Sequence, residues 1–155
     1  MRKKINLLFV CKYNRFRSRI AEAYFKKINK NKNISVKSAG IIKGNLPLDK
    51  FEKLTAKKFG INIDGNPKTV SSKQLSKIDI IIIVANDVPK EIFKYKGKYI
   101  QKLVVWKIKD NLNDKPKEVE KIIKQIMKKV DSLVEELKWK STLLEITQDL
   151  NSRKN

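Results

Sequence analysis

The chain has 155 residues, with 37 Lys and Arg against 16 Asp and Glu, no histidine and one cysteine, giving a formal net charge of +21. That length suits a single compact domain able to bury its core without disulfides, and a lone cysteine without histidine leaves the usual zinc and iron sites without ligands, so no metal or cofactor is expected. The same composition excludes Ser/His/Asp and Cys/His catalysis, and no apolar run approaches the roughly 20 residues of a membrane span.

Met1-Arg2-Lys3-Lys4 leads into a short apolar run that ends at Cys11-Lys12, too short and wrongly finished for a signal peptide, so a cytoplasmic location is expected. Ile5 to Val10 has the continuous apolar character of a buried parallel strand, and Arg17 to Ile28 places Ile20, Ala23, Tyr24 and Ile28 at helical spacing. Ile34 to Ser38 alternates as a second strand, which Ala39-Gly40 is expected to break. Leu48 to Phe59 reads as a helix with Gly60 at its C-cap, and Ile61 to Val70, with Gly65 and Pro67, as irregular. Ser71 offers an N-cap for a short helix, and Ile78 to Val84 is the most strongly β-branched stretch, fit for a central strand.

Val88 to Tyr95 is expected to be a short helix with Pro89 in its first turn, and Tyr99 to Trp106 a fourth strand. From Pro116 to Leu137, residues Val119, Ile122, Ile123, Ile126, Val130, Leu133, Val134 and Leu137 trace one face of a long helix, which Trp139 to Asn155 can extend before a polar tail. Tyr24, Phe25, Trp106 and Trp139 are expected to be core or partly buried packing residues. Four strands alternating with helices predict an α/β fold: a three-layer α/β/α arrangement, with a four-stranded parallel sheet, helices on both faces and a ligand-binding loop after strand 1.

Ligands of such sheets bind beyond the carboxyl ends of the strands, where loops enter helix N-termini, and the loop from Cys11 to Arg17 falls there. Free amides and the positive end of the following helix suit a tetrahedral oxyanion and favour the thiolate form of a cysteine so placed. Arg17 supplies a planar, permanently charged fork for two oxygens of a phosphoryl group, which a lysine point charge does less well. With 5 arginines and 9 serines in 155 residues, an Arg-Ser pair six residues after a cysteine arises by chance about 0.2% of the time. Cys11 could otherwise be a small buried hydrophobe at a strand end. Arg15 and Arg19 read either as solvated charge at the helix start or as steering groups for an anion.

Cys11-Lys12-Tyr13-Asn14-Arg15-Phe16-Arg17-Ser18 resembles the Cys, five residues, Arg, Ser signature of the low molecular weight protein tyrosine phosphatases, which share their fold with arsenate reductases. Ala21-Glu22-Ala23, Ser38-Ala39-Gly40, Phe59-Gly60-Ile61 and Ser71 to Val84 resemble further segments of that family in order, so the likeness covers roughly residues 5 to 137. It implies one phosphatase-like domain over residues 1–137, with 138–155 as a helical extension and polar tail of the same domain. It also implies that residues Lys12 to Ser18 (Lys12, Tyr13, Asn14, Arg15, Phe16, Arg17 and Ser18) bind phosphate. Cys11 would be the nucleophile, Arg17 the clamp on the transition state, and Ser18 the hydrogen-bond partner of the thiolate. Asn14 would take the left-handed conformation that shapes the loop.

A carboxylic acid after the fourth strand would protonate the leaving phenolate and then activate water. Asp110 stands in that place, though Asn111 follows where the family usually has proline; Asp114 is its rival, and the ordinary alternative for either is a solvated loop carboxylate or helix cap. Tyr13 stands where the phosphatases usually carry glycine, and Phe16 replaces the second loop cysteine that many use to trap an oxidised nucleophile. Asn111-Leu112-Asn113 stands in place of the tyrosine pair of many eukaryotic members. The function expected is hydrolysis of phosphotyrosine or aryl phosphate monoesters through a phosphocysteine.

Arsenate reduction with an external thiol is the second reading, since the thioredoxin-coupled version needs two further cysteines; a non-catalytic phosphate or nucleic-acid binding module is the third. The expected partner is a phosphorylated protein or small phosphate monoester, with nucleic acid less favoured and no membrane, and the oligomeric state is left open. The positive charge fits an anionic partner, yet the even spread of lysines with abundant asparagine and isoleucine equally fits codon drift in an A/T-rich genome.

Overall fold

The computed structural model describes residues 4–111 and 115–152. Its frame is a four-stranded parallel sheet in the order β2-β1-β3-β6, built from β1 (Ile5–Cys11), β2 (Ile34–Gly40), β3 (Ile80–Val84) and β6 (Lys102–Trp106). The central strands carry near-continuous apolar sequence because both faces are covered. Leu7, Phe9, Ile82, Val84 and Trp106 point into one buried cluster, while Leu8, Val10, Ile81 and Ile83 point into the other.

The first face is covered by α1 (Arg17–Ile28) and α4 (Pro116–Ser152), with Ala56 of α2 (Lys50–Lys58) in the same cluster. On α4 the buried positions Val119, Ile122, Ile123, Ile126, Val130, Val134 and Leu137 form the stripe expected at helical spacing. Phe9 anchors this layer, its ring 6.1 Å from Phe25 and 5.7 Å from Trp106; each such buried aromatic contributes roughly 2–3 kcal/mol. The second face has a thinner cover: the single turn α3 (Ser72–Leu75), a 3-10 turn at Lys90–Phe93, and the buried side chains of Val88 and Phe93.

Several boundaries differ from the sequence reading, each for a local reason. β2 continues through Ala39 and Gly40, because Gly40 is the register partner of Cys11 and keeps the parallel ladder intact. α2 starts at Lys50 rather than Leu48, as Asp49 takes the N-cap and accepts a hydrogen bond from the Glu52 N–H. β3 and β6 begin at Ile80 and Lys102, later than Ile78 and Tyr99. The helix expected over Val88 to Tyr95 is absent: after the 3-10 turn, β4 (Lys94–Tyr95) and β5 (Lys98–Tyr99) form an antiparallel hairpin outside the main sheet. Trp139, expected to be packed, is exposed on α4.

Because the four strands are parallel, the chain leaves β1, β3 and β6 at the same edge of the sheet. Val10 is in register with Ile83, and Val84 with Trp106, so Cys11, Asn86-Asp87 and residues 107–111 converge there.

Candidate active site

The loop that follows Cys11 is held closely against β2. A Cβ added to Gly40 would lie 2.7 Å from the Tyr13 carbonyl carbon, 2.8 Å from the Asn14 nitrogen and 2.9 Å from the Lys12 oxygen, so only glycine admits this backbone. The Ile41 and Ile42 N–H groups each donate to the Lys12 carbonyl at 3.0 Å. Asn14 has φ 56°, the left-handed conformation expected of it. Among the described residues no protein group accepts the N–H of Tyr13, Asn14, Arg15 or Phe16, which leaves a ring of amides free for an oxyanion.

The side chains beneath this ring form one connected series. The Lys68 N–H donates to Asn14 Oδ1 at 2.9 Å, which fixes the amide orientation, because a backbone N–H can only donate. Asn14 Nδ2 then donates to Ser18 Oγ at 2.8 Å and to Ser38 Oγ at 2.9 Å, and Ser38 donates to Glu22 Oε1 at 2.6 Å. Ser18 Oγ lies 3.0 Å from Cys11 Sγ. With Asn14 donating to Ser18 Oγ, the serine is free to direct its own hydroxyl hydrogen at the sulfur when Cys11 is a thiolate, which can only accept. Asn14 and Ser18 are fully buried, and Cys11 is a buried free thiol at the base of the loop.

Arg17 is 2% exposed. Its Nη1 donates to the Ile108 carbonyl at 3.0 Å, and Nη2 lies 3.0 Å from Asp87 Oδ1 and 3.6 Å from Asp110 Oδ2. Of the five N–H donors of a guanidinium, the two contacts at 3.0 Å occupy two, while Asp110 at 3.6 Å is an ion-pair neighbour, so three remain for an oxyanion in a plane the protein has already fixed. Asp110 accepts the N–H of Asn111 at 2.9 Å, a bond that proline at 111 could not make. The Asn111 side-chain nitrogen and oxygen are buried without a hydrogen-bond partner among the described residues.

Of the residues singled out in the sequence, Cys11, Asn14, Arg17, Ser18 and Asp110 come together. Phe16 lies in the loop, but its side chain belongs to the hydrophobic core, so only its backbone is available to a ligand. Lys12 and Tyr13 are half-buried, with the lysine ammonium 5.3 Å from the tyrosine ring centroid. Arg15 Nε donates to the Pro47 carbonyl at 2.9 Å. Asp114 lies outside the described residues.

Arg19 is neither solvated nor a steering group. It is buried, its Nε donates to the Asn14 carbonyl at 3.0 Å, and its two terminal nitrogens donate to the carbonyls of Asp64 and Asn66. Burial pushes its pKa below the ordinary arginine value, opposed by the charges of Glu22, Cys11 and Asp64. The sequence reading missed Asp87 altogether. Its signal was position: an aspartate three residues past the most apolar strand stands at the edge where the loop of β1 must also lie.

The family model for low molecular weight phosphotyrosine protein phosphatase matches residues 6–143. Among solved structures, a T. tengcongensis low molecular weight protein tyrosine phosphatase is 23% identical with a TM-score of 0.75, covering 86% of this chain and 99% of its own. An Archaeoglobus fulgidus arsenate reductase is 26% identical with a TM-score of 0.68, over 83% and 98% of the two chains. The YwlE arginine phosphatase of Geobacillus stearothermophilus is 18% identical with a TM-score of 0.78, over 89% and 96%. A search of curated protein sequences finds no match.

Proposed function

The chain belongs to the low molecular weight phosphotyrosine protein phosphatase family, and from that premise we propose that it hydrolyses aryl phosphate monoesters, phosphotyrosine among them, through a phosphocysteine on Cys11. The observation that carries this reading is the 3.0 Å contact between Cys11 Sγ and Ser18 Oγ, beneath free loop amides and beside the fixed guanidinium of Arg17.

In the first step the Cys11 thiolate attacks phosphorus, an S–P bond forms and the P–O bond to the leaving phenol breaks. The loop amides and Arg17 bear the charge of the equatorial oxygens. Asp110 gives its proton to the departing phenolate oxygen. In the second step the Asp110 carboxylate takes a proton from water, the water oxygen bonds phosphorus and the S–P bond breaks. Ser18 donates to the thiolate as it leaves, which lowers the barrier to its departure.

Asp87 has a positioning role in this scheme, since its 3.0 Å pairing with Arg17 holds the fork in the plane the phosphoryl group must meet. The cations Lys12 and Arg15 lie in the loop itself, which disfavours a cationic guanidinium leaving group and so supports a phenolic one. Phe16, packed in the core, leaves no second loop thiol, so peroxide oxidation of Cys11 is not rescued by an intramolecular disulfide. A cytoplasmic location fits this thiol chemistry, and no described helix is long and apolar enough to cross a membrane.

Arsenate reduction with an external thiol is the second reading, favoured by the 26% identity to the Archaeoglobus enzyme and by a cradle that takes either tetrahedral oxyanion. Assaying phosphotyrosine peptide, phosphoarginine peptide and arsenate with glutathione separates the cases. Turnover of the first alone is expected; turnover of arsenate or phosphoarginine with none of the first overturns the proposal.

A further inference from the structure

Between the active-site edge and β6, the chain makes an excursion that neither the sheet nor the catalytic scheme requires. Residues 92 to 100 place Ile92, Tyr95, Tyr99 and Ile100 at the surface, with Tyr95 62% and Ile100 70% exposed. Tyr95 and Tyr99 belong to the hairpin of β4 and β5, which pairs Lys94 with Tyr99 and Tyr95 with Lys98. Its two-residue turn, Lys96-Gly97, has φ of 50° and 76°, the conformation that matches the twist of a tight hairpin. The pairing puts Tyr95 with Lys98 on one face of the hairpin and Tyr99 with Lys94 on the other; a two-stranded hairpin is marginal in water by itself, and several exposed apolar side chains within nine residues mark an interaction surface.

The charges around these side chains indicate what kind of surface they meet. Lys90, Lys94, Lys96 and Lys98 are interspersed with them along the chain, with Glu91 the sole acid between Val88 and Lys102. None of these four lysines forms an ion pair among the described residues. A cluster of unpaired ammonium groups around tyrosine and isoleucine complements an anionic lipid surface, where isoleucine enters the acyl boundary, tyrosine lies at headgroup depth and lysines reach the acidic headgroups. It suits single-stranded nucleic acid less well. Lys94 Nζ sits 5.0 Å from the Tyr99 centroid and Lys96 Nζ 5.5 Å from that of Tyr95, so one face of each ring is withdrawn from base stacking. The most exposed member of the cluster, Ile100, is aliphatic.

We propose that this hairpin docks the protein peripherally on anionic bilayers, inserting Ile100, Ile92 and Tyr95 and pairing Lys90, Lys94, Lys96 and Lys98 with acidic headgroups. The sequence expectation of no membrane partner rested on the length of apolar runs, which bears on spanning and not on a hairpin lying at the surface. The lysine excess then has a local use in at least one place, whatever set its overall level.

The test is flotation of the full chain with vesicles of phosphatidylcholine alone or mixed with phosphatidylserine. Binding to the mixed vesicles only, weakened by salt, is expected. Tyr95→Ser with Ile100→Ser lowers it about tenfold or more, as does the triple change Lys94→Ala, Lys96→Ala, Lys98→Ala. The control Lys121→Ala, Lys124→Ala, Lys128→Ala, which removes the same charge from an exposed face of α4, changes it less than about threefold. Soluble aryl phosphate turnover and thermal midpoint stay unchanged in the hairpin variants, which shows that they fold. Absence of binding to mixed vesicles, an equal loss in the α4 control, or a loss confined to single-stranded RNA binding with vesicle binding intact would each overturn the proposal.

Discussion

In the loop from Cys11 to Arg17, the Asn14, Ser18 and Ser38 side chains are bonded in an unbroken series from Glu22 to the sulfur, and Arg19 grips the Asn14 carbonyl from below. In the loop after β6, Asp110 bonds the N–H of its own neighbour, stands 3.6 Å from Arg17, and is followed by an asparagine whose buried amide bonds nothing among the described residues. The two regions meet at one guanidinium, and the proposed mechanism gives them different tasks. An anion cradle must keep one geometry through both chemical steps, so its polar atoms are committed in advance. In the proposed mechanism the group that gives a proton and then takes one must exchange with leaving group and water, and Asp110, about one third exposed (35%), has the access that role needs.

This contrast is broken most severely at its centre. Cys11→Ser is expected to lower aryl phosphate turnover at least about 10^3-fold, and Arg17→Lys about 10^2- to 10^3-fold, because an ammonium cannot hold two oxygens in the plane set by Asp87 and Ile108. Steady-state kinetics on a phenyl phosphate series measures both; an Arg17→Lys enzyme within tenfold of wild type would show that the fork is not the clamp.

Asp110→Asn is expected to cost about 10^2-fold with phenols of high pKa and much less with activated leaving groups, which need no proton. Equal losses across the series would remove Asp110 from the acid role. Asp87→Asn should leave the leaving-group dependence intact while weakening transition-state binding.

Asparagine substitutions on the two sides sharpen the contrast because they differ in sign. Asn14→Ala strips partners from Ser18, Ser38 and the Lys68 N–H and should destabilise by about 1–3 kcal/mol. Asn111→Ala removes two unpaired buried polar atoms and should leave stability unchanged or raise it by up to about 1 kcal/mol. Thermal melts of both variants decide this, and a similar loss in each would erase the distinction.

The smallest effect lies far from the site. Tyr24 donates to Asp131 Oδ1 at 2.7 Å, linking α1 to α4, and that hydrogen bond holds its hydroxyl pKa up at about 12 against a usual 10.0. The neutral form is the one the fold favours, so the contribution is complete below about pH 10 and is lost as pH rises through about 12. At a partly exposed position it amounts to less than about 1 kcal/mol. Tyr24→Phe should therefore melt slightly lower at neutral pH and lose part of the alkaline decline in stability; an unchanged alkaline profile would refute the assignment.

Legibility from sequence followed the distance over which each feature is encoded. The Cys11-to-Ser18 loop and the helix after it are written within 18 residues, and helical spacing traced α4 as far as Leu137. The pairing of Asp87 with Arg17 spans 70 positions and exists only because β3 lies beside β1, a neighbourhood no local pattern states. Arg19 looked like surface charge because its three acceptors are backbone carbonyls, which leave no mark in side-chain chemistry. Gly40 read as a strand breaker, yet glycine is required there by the loop pressed against it. The hairpin was hidden behind the helix-start signal of Pro89, although Lys-Tyr-Lys-Gly-Lys-Tyr carries the two-residue turn and alternation of a hairpin.

The most direct test is rapid acid quench of wild type and Asp110→Asn during turnover of an activated aryl phosphate, followed by mass spectrometry of the peptide containing Cys11. A phosphoryl group on Cys11 in both enzymes is predicted, accumulating further in the variant because water is no longer activated. Turnover with no phosphoryl group on Cys11, or turnover that persists in Cys11→Ser, would contradict it.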